Sequence, residues 1–131
     1  MNIKKPELTN IYGDPQIGEG TEIGAFVEIG KEVIIGKNCK IGAFSFIPEG
    51  VVIGDNVFIA PRVTFCNDKY PPSHGEWRNL KKTIIEDDVV IGAGAIIGPN
   101  LRLGYKSFVG MGAIVTRDVP PFTTVFGNPA K

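Results

Sequence analysis

The segment Phe65–Lys82, FCNDKYPPSHGEWRNLKK, gathers the side chains best suited to chemistry. His74 is the chain's only histidine, and imidazole is the side chain whose ordinary pKa suits proton transfer near neutral pH. The carboxamide of Asn67 can orient a hydrogen-bonding acceptor group, or start an Asx-turn. Asp68 can receive a proton, fix Lys69, or sit solvated in a turn. Tyr70 and the only tryptophan, Trp77, are costly choices for a loop without purpose. Trp77 is read as packing the loop down or anchoring a neighbouring subunit. Metal chemistry lacks ligands: one histidine cannot make a histidine site, and Cys39 and Cys66 lack metal-ligand spacing. Cys66 neighbours Asn67 without a visible His–Cys pairing, and Cys39 reads as inert core.

What must position these residues is a repeat. Steps of six from Ile11 meet Ile17, Ile23, Ile29, Ile35, Ile41, Ile47, Ile53, Ile59 and Phe65, and resume at Ile85, Ile91, Ile97, Leu103, Val109 and Val115. Glycine usually follows the anchor, as at Gly18, Gly24 and Gly30, and a small or β-branched residue stands four after it, as at Thr21, Val27 and Ser45. An even period suits strands, whose side chains alternate faces, whereas a helix would drift off register. Val27 and Ile29 are expected to point inward and Glu28 outward. The glycine is expected to open each turn because it tolerates positive φ. One hexad cannot bury its apolar face alone, but stacked hexads can. Residues 1–10 are expected to cap the first coil. Phe65 to Ile85 is not a multiple of six, so about residues 67–82 must leave the coil as a loop, where function concentrates on rigid scaffolds. No stretch reads as a helix.

Composition bounds the rest. The 131 residues predict one domain, 1–131. With 14 basic and 14 acidic residues the formal net charge is zero, and no basic block marks a nucleic-acid footprint. MNIKKPELTN has no apolar run behind its lysines, and no stretch is long enough to span a membrane. A reduced, cytoplasmic setting is expected.

The hexad pattern resembles the hexapeptide-repeat acyltransferases, and the resemblance covers nearly the whole chain. It implies an all-β, left-handed parallel β-helix with three hexads per triangular coil, about five coils here. It also implies homotrimers, with active sites between subunits to which the loop contributes. VFIAPRVTFCNDKYP (57–71), AFSFIPEGVVIGDNVFIAP (43–61) and VTRDVPPFTTVFGNPAK (115–131) look like the nucleotide-sugar N-acetyltransferases, closest to those acting on 3-amino sugars. Cys66 stands where threonine is more usual, Ala60 for glycine, and Pro72 where arginine is frequent. This resemblance implies acetyl-CoA as cosubstrate, no metal, and a UDP- or dTDP-linked amino sugar as acceptor. It places the Asn67 amide beside the substrate amine, with Asp68, Lys69, Tyr70 and Phe46 as substrate-binding candidates. A free sugar amine has a pKa of about 7.7–8.0, so much of it is already neutral and little base is needed. Orientation and oxyanion stabilisation carry the reaction. A hydroxyl acceptor would need a base, and His74 is the candidate.

By the same resemblance CoA lies along the later coils. Ala93, Gly94, Gly112 and Ala113 would let its pantetheine arm approach. Arg117 and Lys131 would meet its phosphates, and Pro129 belongs to the matching C-terminal GNPAK. The outward aromatics Phe44, Phe46, Phe58 and Phe108 would be sticky on a monomer, so trimer contact is expected. Phe44 or Phe46 could instead stack on a nucleobase. Rival readings are weaker. A γ-class carbonic anhydrase needs several histidines. The sugar-nucleotide pyrophosphorylases need a nucleotide-binding domain that is not seen. A scaffold or ice-binding prism would have unbroken faces. An O-acetyltransferase remains the enzymatic alternative.

Overall fold

The structure, a computed structural model, describes residues 2–131 and consists of two-residue strands joined by tight corners. The strands stack into three parallel sheets of seven, six and five members, which form the sides of a prism. The first side runs from Asn2–Ile3 through Glu22–Ile23, Lys40–Ile41, Phe58–Ile59, Val90–Ile91 and Phe108–Val109 to Thr124–Val125. The second runs from Asn10–Ile11 through Glu28–Ile29, Phe46–Ile47, Thr64–Phe65 and Ile96–Ile97 to Ile114–Val115. The third runs from Gln16–Ile17 through Ile34–Ile35, Val52–Ile53 and Ile84–Ile85 to Arg102–Leu103, with a bridge from Leu103 to Val119. This is the left-handed parallel β-helix expected, at about six turns rather than five.

The hexads set the register. Ile23 pairs with Ile41 and Ile41 with Ile59, eighteen residues apart, so one coil is three hexads. From Ile23 onward each anchor isoleucine is inside, as is the residue two before it, while Ile11 and Ile17 at the open end are partly buried. Val27 and Ile29 are buried, while Glu28 is not. Full burial of such a side chain contributes about 1.5–3 kcal/mol, and every coil adds three anchors and their smaller neighbours. Two of the few hydroxyls inside, Thr21 and Ser45, are satisfied between coils. Thr21 Oγ1 donates to the Gly36 carbonyl (2.7 Å) and accepts from the Cys39 amide (3.1 Å). Ser45 does the same with Ala60 and Val63, both at 3.2 Å. Cys39 is core, and burial pushes its thiol pKa up.

The glycines after the anchors do not serve the expected purpose. Positive φ falls two residues later, on Phe26, Glu32, Asn38, Phe44, Asn56, Arg62, Asp88, Asn100 and Lys106 as well as on Gly20, Gly50, Gly94 and Gly112. Side-chain-bearing residues tolerate this left-handed corner because stacking over-determines it. The Phe44 amide, for example, donates to the Ala25 carbonyl one coil below (3.0 Å). Glycine after the anchor is required by close approach instead. A Cβ on Gly42 would lie 2.4 Å from Pro61 N.

Both ends depart from the eighteen-residue coil. Instead of capping the first coil, residues 2–10 form part of it, and residue 1 lies outside the described residues. Asn2–Ile3 already pairs with Glu22–Ile23, and the 3₁₀ turn Pro6–Leu8 absorbs the two extra residues of that coil. The last coil is two residues short: Val109 pairs with Val125, sixteen residues on. Ser107, buried just beneath it, has no partner for its hydroxyl among the described residues.

Candidate functional site

Ile53 pairs with Ile85, thirty-two residues on, so fourteen residues are inserted into one coil. They leave the prism at the corner between the second and third sides, where Gly50 occupies the coil below and Asn100 the coil above. Their fold is built from local hydrogen bonds. The Asp68 carboxylate accepts from the amides of Tyr70 (3.3 Å) and Ser73 (3.0 Å). The Ser73 backbone amide foremost holds the Asp68 carboxyl below its ordinary pKa. Ser73 Oγ in turn accepts from the Trp77 amide (3.3 Å), at the 3₁₀ turn Glu76–Asn79. At the exit, Asn100 Nδ2 donates to the Lys81 carbonyl (2.6 Å) and its amide to Thr83 Oγ1 (2.9 Å).

The folded loop lies against the corner and encloses two cavities. The first, about 100 Å³, is bounded by Glu49, Asn67, Trp77, Arg78, Lys81 and Asn100 among others. The second, about 360 Å³, opens on the second side of the prism, where Tyr12, Glu28, Phe46 and Glu49 face Asn67 and Trp77. Asn67 is half-buried and lines both. Of the candidate residues, the fold therefore brings together Asn67 and Phe46. Lys69 and Tyr70 are exposed, with the ammonium 5.7 Å from the ring centroid, and line neither cavity. Asp68 spends its carboxylate on the loop's own amides. His74 is exposed, in the left-handed region (φ 56°), and outside both cavities. Cys66 is half-buried, and burial raises its thiol pKa, so it is no ready nucleophile.

Sequence reasoning missed Glu49 and Arg78. Arg78 Nε donates to Glu49 Oε2 (2.9 Å) and its terminal nitrogen to Oε1 (3.3 Å), a two-pronged pair. The guanidinium carbon also sits 4.5 Å from the Trp77 ring centroid. Lys31 Nζ lies 3.9 Å from Glu49 Oε1. The Arg78 contact foremost holds the Glu49 carboxyl below its usual pKa. These partners are 29 residues apart in sequence, so no local pattern announces them.

The corner between the first and second sides carries the other candidates. One column holds Phe26, Phe44 and Arg62 in the early coils, then Gly94 and Gly112. Phe44 lies between the stacked Phe26 ring (4.9 Å) and the Arg62 guanidinium (4.7 Å), which covers the ring a nucleobase would need. At Gly94 and Gly112 the corner is bare: a Cβ there would meet nothing within 4 Å. Ala93 is exposed beside it. Ala113 is fully buried, so its side chain belongs to the core and not to this corner. The tail folds back over Ile114, whose amide donates to the Gly127 carbonyl (2.9 Å) while the Ala130 amide donates to the Ile114 carbonyl (2.9 Å). Pro129 and Lys131 are thus exposed near the bare corner, whereas exposed Arg117 follows Val115 toward the loop's corner. Among the described residues no group of His, Cys, Asp and Glu could hold a metal ion, and no helix is long and apolar enough to cross a membrane.

The family model "Bacterial transferase hexapeptide (six repeats)" matches residues 14–49 and 32–67, and "Hexapeptide repeat of succinyl-transferase" matches 82–117. The unmatched stretch between them is the loop. A Schizosaccharomyces pombe protein named as an acetyltransferase is 35% identical over 115 residues, covering 84% of this chain and 53% of that one. Galactoside O-acetyltransferase of Escherichia coli is 40% identical over 86 residues, covering 62% and 42%. The chain thus spans about half the length of these curated relatives. A variant of AntD, an N-acyltransferase from Bacillus cereus solved with dTDP and coenzyme A, superposes with a TM-score of 0.84 at 26% identity, covering 98% of this chain and 77% of that one. Repeat, coil and loop position agree with these matches: the chain belongs to the hexapeptide-repeat acyltransferase family.

Proposed function

We propose that the chain is an acetyl-CoA-dependent N-acetyltransferase acting on the amino group of a UDP- or dTDP-linked sugar, a 3-amino sugar in surface-glycan synthesis. The observation that carries this reading is that Asn67 lines both cavities under the loop while His74 lies outside them. The amine nitrogen attacks the thioester carbonyl carbon. The C–S bond then breaks, CoA leaves as its thiol, and the proton it takes is the one the nitrogen loses. A carboxamide oxygen can accept from the amine N–H and aim its lone pair, which suits a nucleophile that is already neutral. No strong base is called for. AntD, with its dTDP and coenzyme A, supports a nucleotide-linked acceptor. For the acetyl donor, the bare corner at Gly94 and Gly112 fits a chain that must approach backbone closely. Lys131, near it, suits a phosphate. The reading includes a homotrimer in the cytoplasm, with Asn67 facing a neighbouring subunit.

The similarity to galactoside O-acetyltransferase favours a second reading, transfer to a hydroxyl. Thiol release from acetyl-CoA, followed across amino sugars and matched hydroxyl analogues on both nucleotides, separates the two. Release with amines only, lowered about 100-fold by Asn67→Ala and little changed by His74→Ala, is the expected result. Release with hydroxyls that is lost in His74→Ala would replace this function with O-acetylation. No release and no acetyl-CoA binding would leave a non-catalytic scaffold.

A further inference from the structure

We propose that Glu49 and Arg78 form a clamp that positions Asn67 for the reaction, making both of them positioning residues rather than groups that touch the acceptor. The inference rests on the proposed role of Asn67. Three observations carry it.

First, the contact is the long-range side-chain anchor of the middle of the loop. The first half is tied locally through Asp68 and Ser73, and the exit through Asn100. Between them, only the two-pronged Arg78–Glu49 pair joins a loop side chain to a side chain of the coil below, among the described residues. Second, the Glu49 side chain is 15% exposed while that of Arg78 is 52% exposed. The more buried partner belongs to the corner of the coil and the more exposed one to the loop, which is the arrangement of an anchor. Third, Glu49, Trp77 and Asn67 border both cavities together. Arg78 reaches Glu49 alongside the Trp77 ring, 4.5 Å from it. Releasing the pair therefore frees the wall opposite Asn67, and small misplacements of a reacting group are costly to rate.

An ordinary surface ion pair contributes little. This one differs in its bidentate geometry and its half-buried carboxylate. Charged groups around it are Lys31, on the same corner, and Glu32, Lys81 and Lys82, which line the first cavity.

The test uses Glu49→Gln, Arg78→Gln and the double variant on the full chain. Two readouts are taken: quenching of Trp77, the only tryptophan, by the neutral quencher acrylamide, and steady-state acetyl transfer. Each single change is expected to raise quenching and to lower kcat about 10- to 100-fold, with KM for acetyl-CoA unchanged. The double variant should match the singles, because one contact is lost once. Glu86→Gln, which breaks the Arg102 pair on the third side, should change neither readout. Unchanged quenching or unchanged kcat in Glu49→Gln would overturn the clamp, as would additive losses in the double. Quenching needs no substrate, so the two ideas fail separately. A wild-type chain inactive on every amine defeats the proposed function, while an active chain indifferent to Glu49→Gln defeats the clamp.

Discussion

Two carboxylates set how the loop answers pH. Arg78 holds the Glu49 carboxyl below its usual range, and the Ser73 amide does the same for Asp68. A carboxyl depressed on folding stabilises the state that depresses it above its ordinary pKa, and loses that contribution as pH falls through the lowered value. Both anchors therefore hold at neutral pH, and each is lost in acid as pH falls through its own lowered value. Trp77 fluorescence should accordingly change below the ordinary carboxylate range while the β-helix circular dichroism persists. Glu49→Gln should remove the part of the change that belongs to the clamp. Lys31 and Arg78 face Glu49, and His74 faces Asp68. An acid change identical in Glu49→Gln would assign it to Asp68 alone.

At the level of the element, the hexad and the loop obey different rules. A Cβ on Gly42 would fall 2.4 Å from Pro61 N and 2.5 Å from Ala60 C, both backbone atoms that cannot swing away. Gly42→Ala should cost about 1–3 kcal/mol, as overpacking does, and calorimetry should show the melting temperature fall by several degrees. Gly94→Ala has room for its Cβ but keeps the strain of φ +72°. The loop is separable by arithmetic. Excising residues 69–82 joins Asp68 to Thr83 and restores a step of six from Phe65 to Ile85. Asp68 then falls on the left-handed corner position, which the short acidic and amide side chains tolerate and which Asn38, Asn56, Asp88 and Asn100 already occupy. The shortened chain should fold to the same circular dichroism and lose acetyl transfer although Asn67 remains. An unfolded product would mean that the loop's contacts also hold the solenoid.

For the whole molecule, the open question of physics is what covers the prism's sides. Phe58 and Phe108 stand 42% and 45% exposed on the first side, with Val90 between them. Such a patch favours association. Sedimentation should give three times the 14.1 kDa chain mass. Phe58→Asp should lower that mass without unfolding the coil, and an unchanged mass would move the interface to another side. Because the proposed site faces a neighbour, activity should fall with the mass.

The periodicity by itself determined short strands stacked into a solenoid, because an apolar residue every six positions falls on one face of a strand, while three hexads per coil and the left hand came with the resemblance. The periodicity also located the loop, since the step of twenty from Phe65 to Ile85 is not a multiple of six. Less was legible where two needs call for the same residue. Glycine at 18, 24 or 42 reads as a turn-opener, and only stacked coils reveal that the neighbouring backbone excludes a Cβ. The ends were not legible for a related reason: the first coil is two residues too long and the last two too short, which breaks the count without breaking the stack. Resemblance picked out Asn67, and folding brought it beside Phe46 while leaving His74 outside. Glu49 and Arg78 meet only because the loop folds back across one coil. That pairing depends on distance through space, and spacing along the chain carries no trace of it.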